Sequence, residues 1–594
     1  MDRNTILAVV LAVVVIIGGM VLQSILAPSK PAATLPPEKP SAAAEQPAAA
    51  GAPQAEPSRE AGRPSGPVSP ATEQAALSEE THILENELMR VRFTNRGGEV
   101  SSIQLKEYKN TDGSPVEMVI SKDTGLRPFS IHFGDHNAEP VNALFRAERS
   151  LSAISISFSQ DFIAPDGVPF TLRKTYLLQP KDYLIELKVS IENSINEYPN
   201  LNFGGIAYTL GFGPQIGPAF SKLDRQNEYR AYMYYVDGKK RDVRIPKEGV
   251  QVLKNRVTWA AIAGKYFELI AVPDATPYLL TYDTRPLADL HDRSSLYFSR
   301  PEIKSSKNTD VFRFYVGPKK REILARYNNS DKNGYKLADM HFEESIPSSP
   351  LIGWLANILK FFLELFYKLV PNYGVAILLL TLLIKILFWP LTNKSYESTA
   401  KMQTLQPKIK ELQAKYKANP QKMNQEMAAL YKKEGVSPLG GCLPLLLQMP
   451  IFFALYNLLS THFELRGAMF IPGWIADLSA PDSIWSFPTV DLLLWKLSAV
   501  RVLPFLMLGT TFLQSKVSQS STPTDRNMAL MTYAMPIVFF FILYNMPSGL
   551  VLYWTAQNIL GIVQQLYYNN RRKRKAEEPA ALSKPVRFPK PRRR

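Results

Sequence analysis

Between Tyr373 and Thr392 the chain reads YGVAILLLTLLIKILFWPLT, an apolar run long enough to span a bilayer at about 1.5 Å per residue, with a lysine inside it. Nothing else constrains the fold as strongly. A cation near the middle of a spanning helix costs roughly 2.5 to 3.5 kcal/mol, so Lys385 needs a partner, water or a function to offset that cost. Thr381, one turn earlier, shares its face. Two readings stay open. Lys385 can snorkel to the nearer headgroups, or it can line a water-accessible cavity in the inner half of the membrane. A helix running from outside to inside tilts its Cα–Cβ bonds back toward the outer leaflet, which favours the cavity.

The 594 residues exceed a single domain, and the lone Cys442 excludes an intrachain disulfide or a multi-cysteine metal site. His132 and His136 are four apart, but IHFGDHN contains Gly134 and reads as a strand and turn. No metal and no cofactor is expected. The net charge of +16 gathers at the C-terminus, where Arg571, Arg572, Lys573, Arg574 and Lys575 open a basic tail, 569–594. Such a tail suits anionic lipid or ribosomal RNA, and it is equally a positive-inside topology signal.

The pattern changes several times along the chain. Residues 1–27 are expected to form an uncleaved transmembrane anchor with a cytoplasmic N-terminus, followed by a disordered Pro- and Ala-rich tether over 28–78. From 79 to 344 apolar residues alternate, as in MRVRFTN and VFRFYVG, between turn clusters such as Asn95 to Gly98. That predicts a large antiparallel β-sandwich, placed on the periplasmic side. Over 350–369, Leu351, Leu355, Ile358, Phe362, Leu365 and Leu369 predict one apolar side of an amphipathic helix lying in the membrane interface. The polar segment 393–434 reads as a helical hairpin, kinked at Pro407 and broken at Asn419–Pro420. Met402, Leu405, Ile409, Leu412 and Tyr416 form a heptad seam, continued by Met423 and Met427. The seam serves either to pack the two arms together or, at Met402, Leu405, Met423 and Met427, to contact hydrophobic clients. Nine lysines against four glutamates put the hairpin in the cytoplasm.

Four further apolar runs, at 443–459, 497–514, 528–545 and 549–568, bring the expected α-helical bundle to six spans with both termini cytoplasmic. Several have about seventeen residues, near 26 Å of helix, which is short for a hydrocarbon core of about 30 Å. Local bilayer thinning follows. Polar residues recur within the runs: Gln448, Thr510, Thr511, Gln514, then Thr555, Gln557 and Asn558 beside Tyr553 and Trp554. One of these alone is ordinary helix–helix adhesion, but together with a buried cation they indicate a hydrated groove that accepts polar or acidic segments.

The stretches LQPKIKELQAKYK, MNQEMAALYKKEGVSPLGGCLPLLLQMPIFFALYNLL and MPSGLVLYWTAQNIL resemble the YidC family of membrane protein insertases of bacteria, mitochondria and chloroplasts. The resemblance covers about 350–570, and the anchor, tether and sandwich match the extended form found in bacteria with two membranes. It implies a non-enzymatic insertase and chaperone of the inner membrane, working on nascent membrane proteins alone or beside the Sec translocon, without a cofactor. It also implies that Lys385 is the groove cation, with Thr381 one turn earlier and Trp554 as the groove aromatic. The commoner residue at that position is arginine, and lysine keeps the charge while losing the bidentate fork. A transporter or channel with a periplasmic binding domain remains an alternative, although no internal repeat of broken helices is visible. A Ser/Lys hydrolase pairing Lys385 with Ser548 is a further one, disfavoured because Ser548 falls in an outer turn.

Overall fold

The computed structural model describes residues 68–577, apart from short segments at 72–76, 111, 122–123, 194–196, 221–222, 224–227, 247, 289, 348–351, 437–442, 493–494 and 519–525. The anchor, most of the tether, Cys442 and the last part of the basic tail lie outside these residues. Two compact units separate near Ser348.

The first unit is built from antiparallel strands. Alternation dictates it most clearly at Pro169–Leu178, where Phe170, Leu172, Lys174, Tyr176 and Leu178 all point inward. This strand pairs with Ser155–Ile163 on one side and Leu184–Glu192 on the other, within a sheet of ten strands. A five-stranded sheet, Val250–Leu253, Leu279–Asp283, Ser295–Pro301, Ile206–Phe212 and Ser130–His132, lies against it. The join is aromatic: Phe212 stacks on Phe314 at 6.1 Å, Phe298 meets Phe312 at 5.8 Å, and the Tyr282 hydroxyl donates across to Met233 O at 2.7 Å. The expected sandwich is therefore present. A four-stranded sheet, 81–117, closes one end by setting Phe93 on Tyr176 at 4.8 Å. Its turn at Asn95 to Gly98 needs glycine, because Gly98 has φ +55° and a Cβ there would lie 2.8 Å from Phe158 Cβ.

The second unit is helical. Its helices are α1 (Gly353–Leu369), α2 (Tyr373–Leu387), α3 (Trp389–Lys415), α4 (Pro420–Glu434), α5 (Leu443–Thr461), α6 (Val502–Ser518), α7 (Arg526–Leu543) and α8 (Ser548–Glu577). Leu380, Leu455, Leu459, Leu550 and Tyr553 centre a shared apolar core. Asn372 caps α2 by accepting from Val375 N at 3.1 Å, and Asp482 caps α6 by accepting from Val502 N and Leu503 N at 2.8 and 2.9 Å.

Four expectations need correcting. The run 373–392 is not one helix: α2 stops at Leu387 and the chain bends by 62° into α3, so α2 alone rises only about 22 Å. Among the described residues no single helix is long and apolar enough to cross a membrane, and only this bent pair passes that test. The run placed at 497–514 begins as a strand, Trp495–Val500, paired in a hairpin with Trp485–Leu492, and becomes helical at Val502. Helix α8 continues past the apolar run to Glu577, so Arg571, Arg572 and Arg574 are helical and exposed rather than in a tail. On α1 the six chosen residues do not share one environment. Leu359 and Leu363 are the residues buried against the core, with Leu355 and Phe362 packed beside them, while Ile358, Leu365, Leu369, Trp354 and Phe361 are exposed. The apolar arc is wider than a single stripe, and its centre lies to one side of the stripe read from sequence.

Candidate functional site

Lys385 stands in the last turn of α2, one residue pair short of the bend. A Cβ built on Gly561 of α8 would lie 3.5 Å from Lys385 Nζ and 2.7 Å from Gln514 Nε2 of α6. Three helices thus bring an ammonium and a carboxamide to one glycine, and the missing side chain leaves them the space. Among the described residues Lys385 makes no hydrogen bond and no ion pair. A cation held without a partner among apolar helices is stable only where water or an incoming group can reach it.

The neighbouring polar groups form a ladder along α8. Asn558 donates to Thr510 Oγ1 at 3.2 Å, Thr511 Oγ1 at 2.8 Å and Met507 O at 3.4 Å, which ties α8 to α6. The Tyr553 hydroxyl accepts from Gln557 Nε2 and from Gln448 Nε2 of α5, each at 3.3 Å. Tyr553 and Gly561 are eight residues apart, about 12 Å along the axis, so the Gln448–Tyr553 pair and the Lys385–Gln514 pair lie at different depths. Thr381 is buried, and its hydroxyl donates to Ile377 O at 2.6 Å, back onto its own helix. The ring of Trp554 packs edge-on against Phe452 and tilted against Phe539, 5.3 Å from each.

Residues overlooked in the sequence complete the ladder. Gln564, fully buried on α8, donates to Asn393 Oδ1 at 3.0 Å and Trp389 O at 3.3 Å, which anchors the start of α3 to α8. The Tyr396 hydroxyl reaches Gly561 O at 3.5 Å. Gln557, Gly561 and Gln564 step by four and three, one helical stripe, a spacing that marks them out once glycine is counted as part of a polar face.

In the hairpin, Leu405, Ile409 and Val436 are buried, with Met402, Met427, Leu430 and Tyr431 packed around them. The seam joins the two arms, and α3 runs through Pro407 as one element. Met423 is half-buried outside that cluster. Arg571, Arg572 and Arg574 project from the end of α8, whereas the side chains of Lys573 and Lys575 lie outside the described residues. Ser548, the first residue of α8, is buried and donates to Asp477 O at 2.9 Å. Thirteen residues, about 20 Å, separate it from Gly561 and so from Lys385, which removes the geometry a Ser/Lys hydrolase needs. Of the two histidines spaced four apart, His132 has both ring nitrogens engaged, with Ser130 Oγ at 3.0 Å and Ala138 O at 2.6 Å.

Comparison with known proteins gives consistent matches over both units. A family model described as 60Kd inner membrane protein matches residues 365–576, and one described as YidC periplasmic domain matches residues 82–362. Proteins named membrane protein insertase YidC from Treponema denticola and Treponema pallidum are 41% and 37% identical; the first alignment covers 84% of this chain and 87% of that protein, the second 95% and 98%. A solved active YidC insertase structure with its first transmembrane domain resolved is 18% identical, covers 83% of this chain and 94% of its own, and aligns with a TM-score of 0.35.

Proposed function

The chain belongs to the YidC family of membrane protein insertases, and on that premise we propose that Lys385 is the fixed charge of a groove through which nascent inner-membrane proteins enter the bilayer. The carrying observation is the ammonium beside Gly561 and Gln514, without a hydrogen-bond or ion-pair partner among the described residues. It is placed to attract an acidic residue of a translocating segment, at a strength set by the local dielectric. The ladder through Gln557, Asn558, Thr510 and Thr511 supplies hydrogen bonds to the polar part of that segment, and the apolar part leaves sideways into lipid.

Topology follows from charge. With the hairpin 393–434, the arginines at the end of α8 and both termini in the cytoplasm, the chain crosses six times and the sandwich lies in the periplasm. Short helices thin the bilayer around the groove. The hairpin meets the emerging segment first, through Met423 and through Met402, Leu405 and Met427 when the seam opens, and the basic cluster Arg571 to Lys575 contacts ribosomal RNA or anionic lipid. Work beside the Sec translocon belongs to the same reading. A transporter or channel is not favoured, because the matched relatives are named insertases over most of the chain.

The test is site-directed photocrosslinking to ribosome-bound nascent membrane proteins. Probes at 385, 514 and 557 are expected to capture the nascent chain, whereas probes at Ile358 and Phe361 on the exposed side of α1 are not. Equal capture at both sets would remove the groove from the mechanism.

A further inference from the structure

The sandwich unit contains a second concentration of cations, unrelated to the groove. At the edge of the five-stranded sheet a cavity of about 560 Å³ is lined by four arginines, Arg96, Arg127, Arg285 and Arg293, together with His136 and the carboxyl of Glu99. Sequence alone does not reveal it, since the arginines are spread over some two hundred positions and only the sheet edge assembles them.

The four guanidiniums are unevenly paired. Buried Asp283 serves two guanidiniums at once: Arg285 at 3.0 and 2.7 Å, and Arg293 at 3.1 Å. Arg293 is further held by Ser295 Oγ at 3.0 Å and the Tyr297 hydroxyl at 2.6 Å. One carboxylate therefore orients two cations, and among the described residues the Nη1 groups of both make no hydrogen bond. Among the described residues the Arg127 side chain makes none, and its one ion pair is with Glu99, 3.9 Å away. Burial pushes the Glu99 carboxyl up to about 7, which weakens that pairing. Arg96 pairs with Glu79 at 3.2 Å on the rim, and Glu139 is the other lining carboxylate, exposed. His136 is half-buried beside the Tyr297 ring at 5.8 Å and donates or accepts no hydrogen bond within the described residues.

We propose that this cavity is a binding site for a phosphorylated saccharide or polyol. Guanidinium forks match the oxygens of a phosphate, and the volume exceeds that of a bare anion, leaving room for a polar body of sugar size against His136 and the 137–142 loop. The phosphate could be carried by a soluble sugar phosphate or by the glycerol headgroup of a phospholipid.

Isothermal titration of the full chain in nonionic micelles tests this with glucose 6-phosphate, glucose, inorganic phosphate and short-chain phosphatidylglycerol. Glucose 6-phosphate is expected to bind saturably and glucose not to bind, with inorganic phosphate competing weakly. Competition by phosphatidylglycerol identifies the headgroup as a source, and its absence identifies the soluble sugar phosphate. Arg127→Gln and Arg285→Gln are each expected to weaken binding about tenfold or more. Arg127→Gln is the decisive variant, because that side chain makes no hydrogen bond whose loss would unfold the sheet edge, and an unchanged melting temperature verifies this. Equal binding of glucose and glucose 6-phosphate, no saturable binding of any phosphate, or wild-type affinity in Arg127→Gln overturns the proposal.

Discussion

Single residues carry the proposed groove. Gly561 matters through the space it leaves: alanine there would press on the far end of Gln514, which can swing aside, whereas leucine would fill the volume in which Lys385 Nζ and Gln514 meet. Gly561→Ala is expected to keep insertion within about twofold and Gly561→Leu to reduce it about tenfold or more, measured in proteoliposomes. Asn558 is the hydrogen-bonded tie between α8 and α6, so Asn558→Leu should lower stability in detergent by about 1 to 3 kcal/mol, read as a shift in thermal unfolding. Lys385 was legible in the sequence because a lone cation in an apolar run violates the rule for such runs. Gly561 and Gln564 were not, because a glycine leaves no polar signal and a glutamine near a helix end looks like surface until a partner such as Asn393 is found across the fold.

At the scale of elements, period-two alternation read the strands well: MRVRFTN and VFRFYVG fall on Met89–Thr94 and Lys307–Pro318. Alternation cannot announce which inward positions are charged. Glu268 lies in the all-buried strand Phe267–Val272; Ser345 Oγ donates to its Oε1 at 2.9 Å, and its Oε2 has no hydrogen-bond partner among the described residues. Burial pushes its carboxyl up to about 7. A raised carboxyl holds its proton in the folded state where the unfolded chain has lost it. Its contribution is present in full below the ordinary carboxylate value and is lost as pH rises through about 7. Unfolding of the sandwich in the full chain should therefore show stability falling between about pH 4.5 and 7, by roughly 3 kcal/mol at most from this group. Glu268→Gln should flatten that fall, and an identical pH profile in the variant would remove Glu268 as its cause. The helices were harder to delimit than the strands. The bend after Leu387 and the extension of α8 to Glu577 depend on tertiary packing, including the bonds from Gln564 to the start of α3, which no local pattern encodes.

At the scale of the molecule, the division into a strand-built unit and a helical unit was visible as a change in hydrophobic period, and the hairpin seam as a heptad. The assembly of four distant arginines into one cavity was not, because long-range sheet pairing decides it. The helical unit combines a short α2, a bend and an ammonium without a partner among the described residues, the three features on which the proposed groove rests. For unit charges about 6 Å apart at an effective dielectric constant of roughly 40, the attraction is ~1.4 kcal/mol, about a tenfold preference. The direct measurement is insertion into proteoliposomes of two substrates that differ only in whether their translocated tail carries acidic or neutral residues. Lys385→Ala is predicted to slow the acidic-tailed substrate about tenfold and leave the neutral one nearly unchanged, with Lys385→Arg restoring the difference. An unchanged, wild-type ratio of acidic-tailed to neutral insertion in Lys385→Ala would contradict the account.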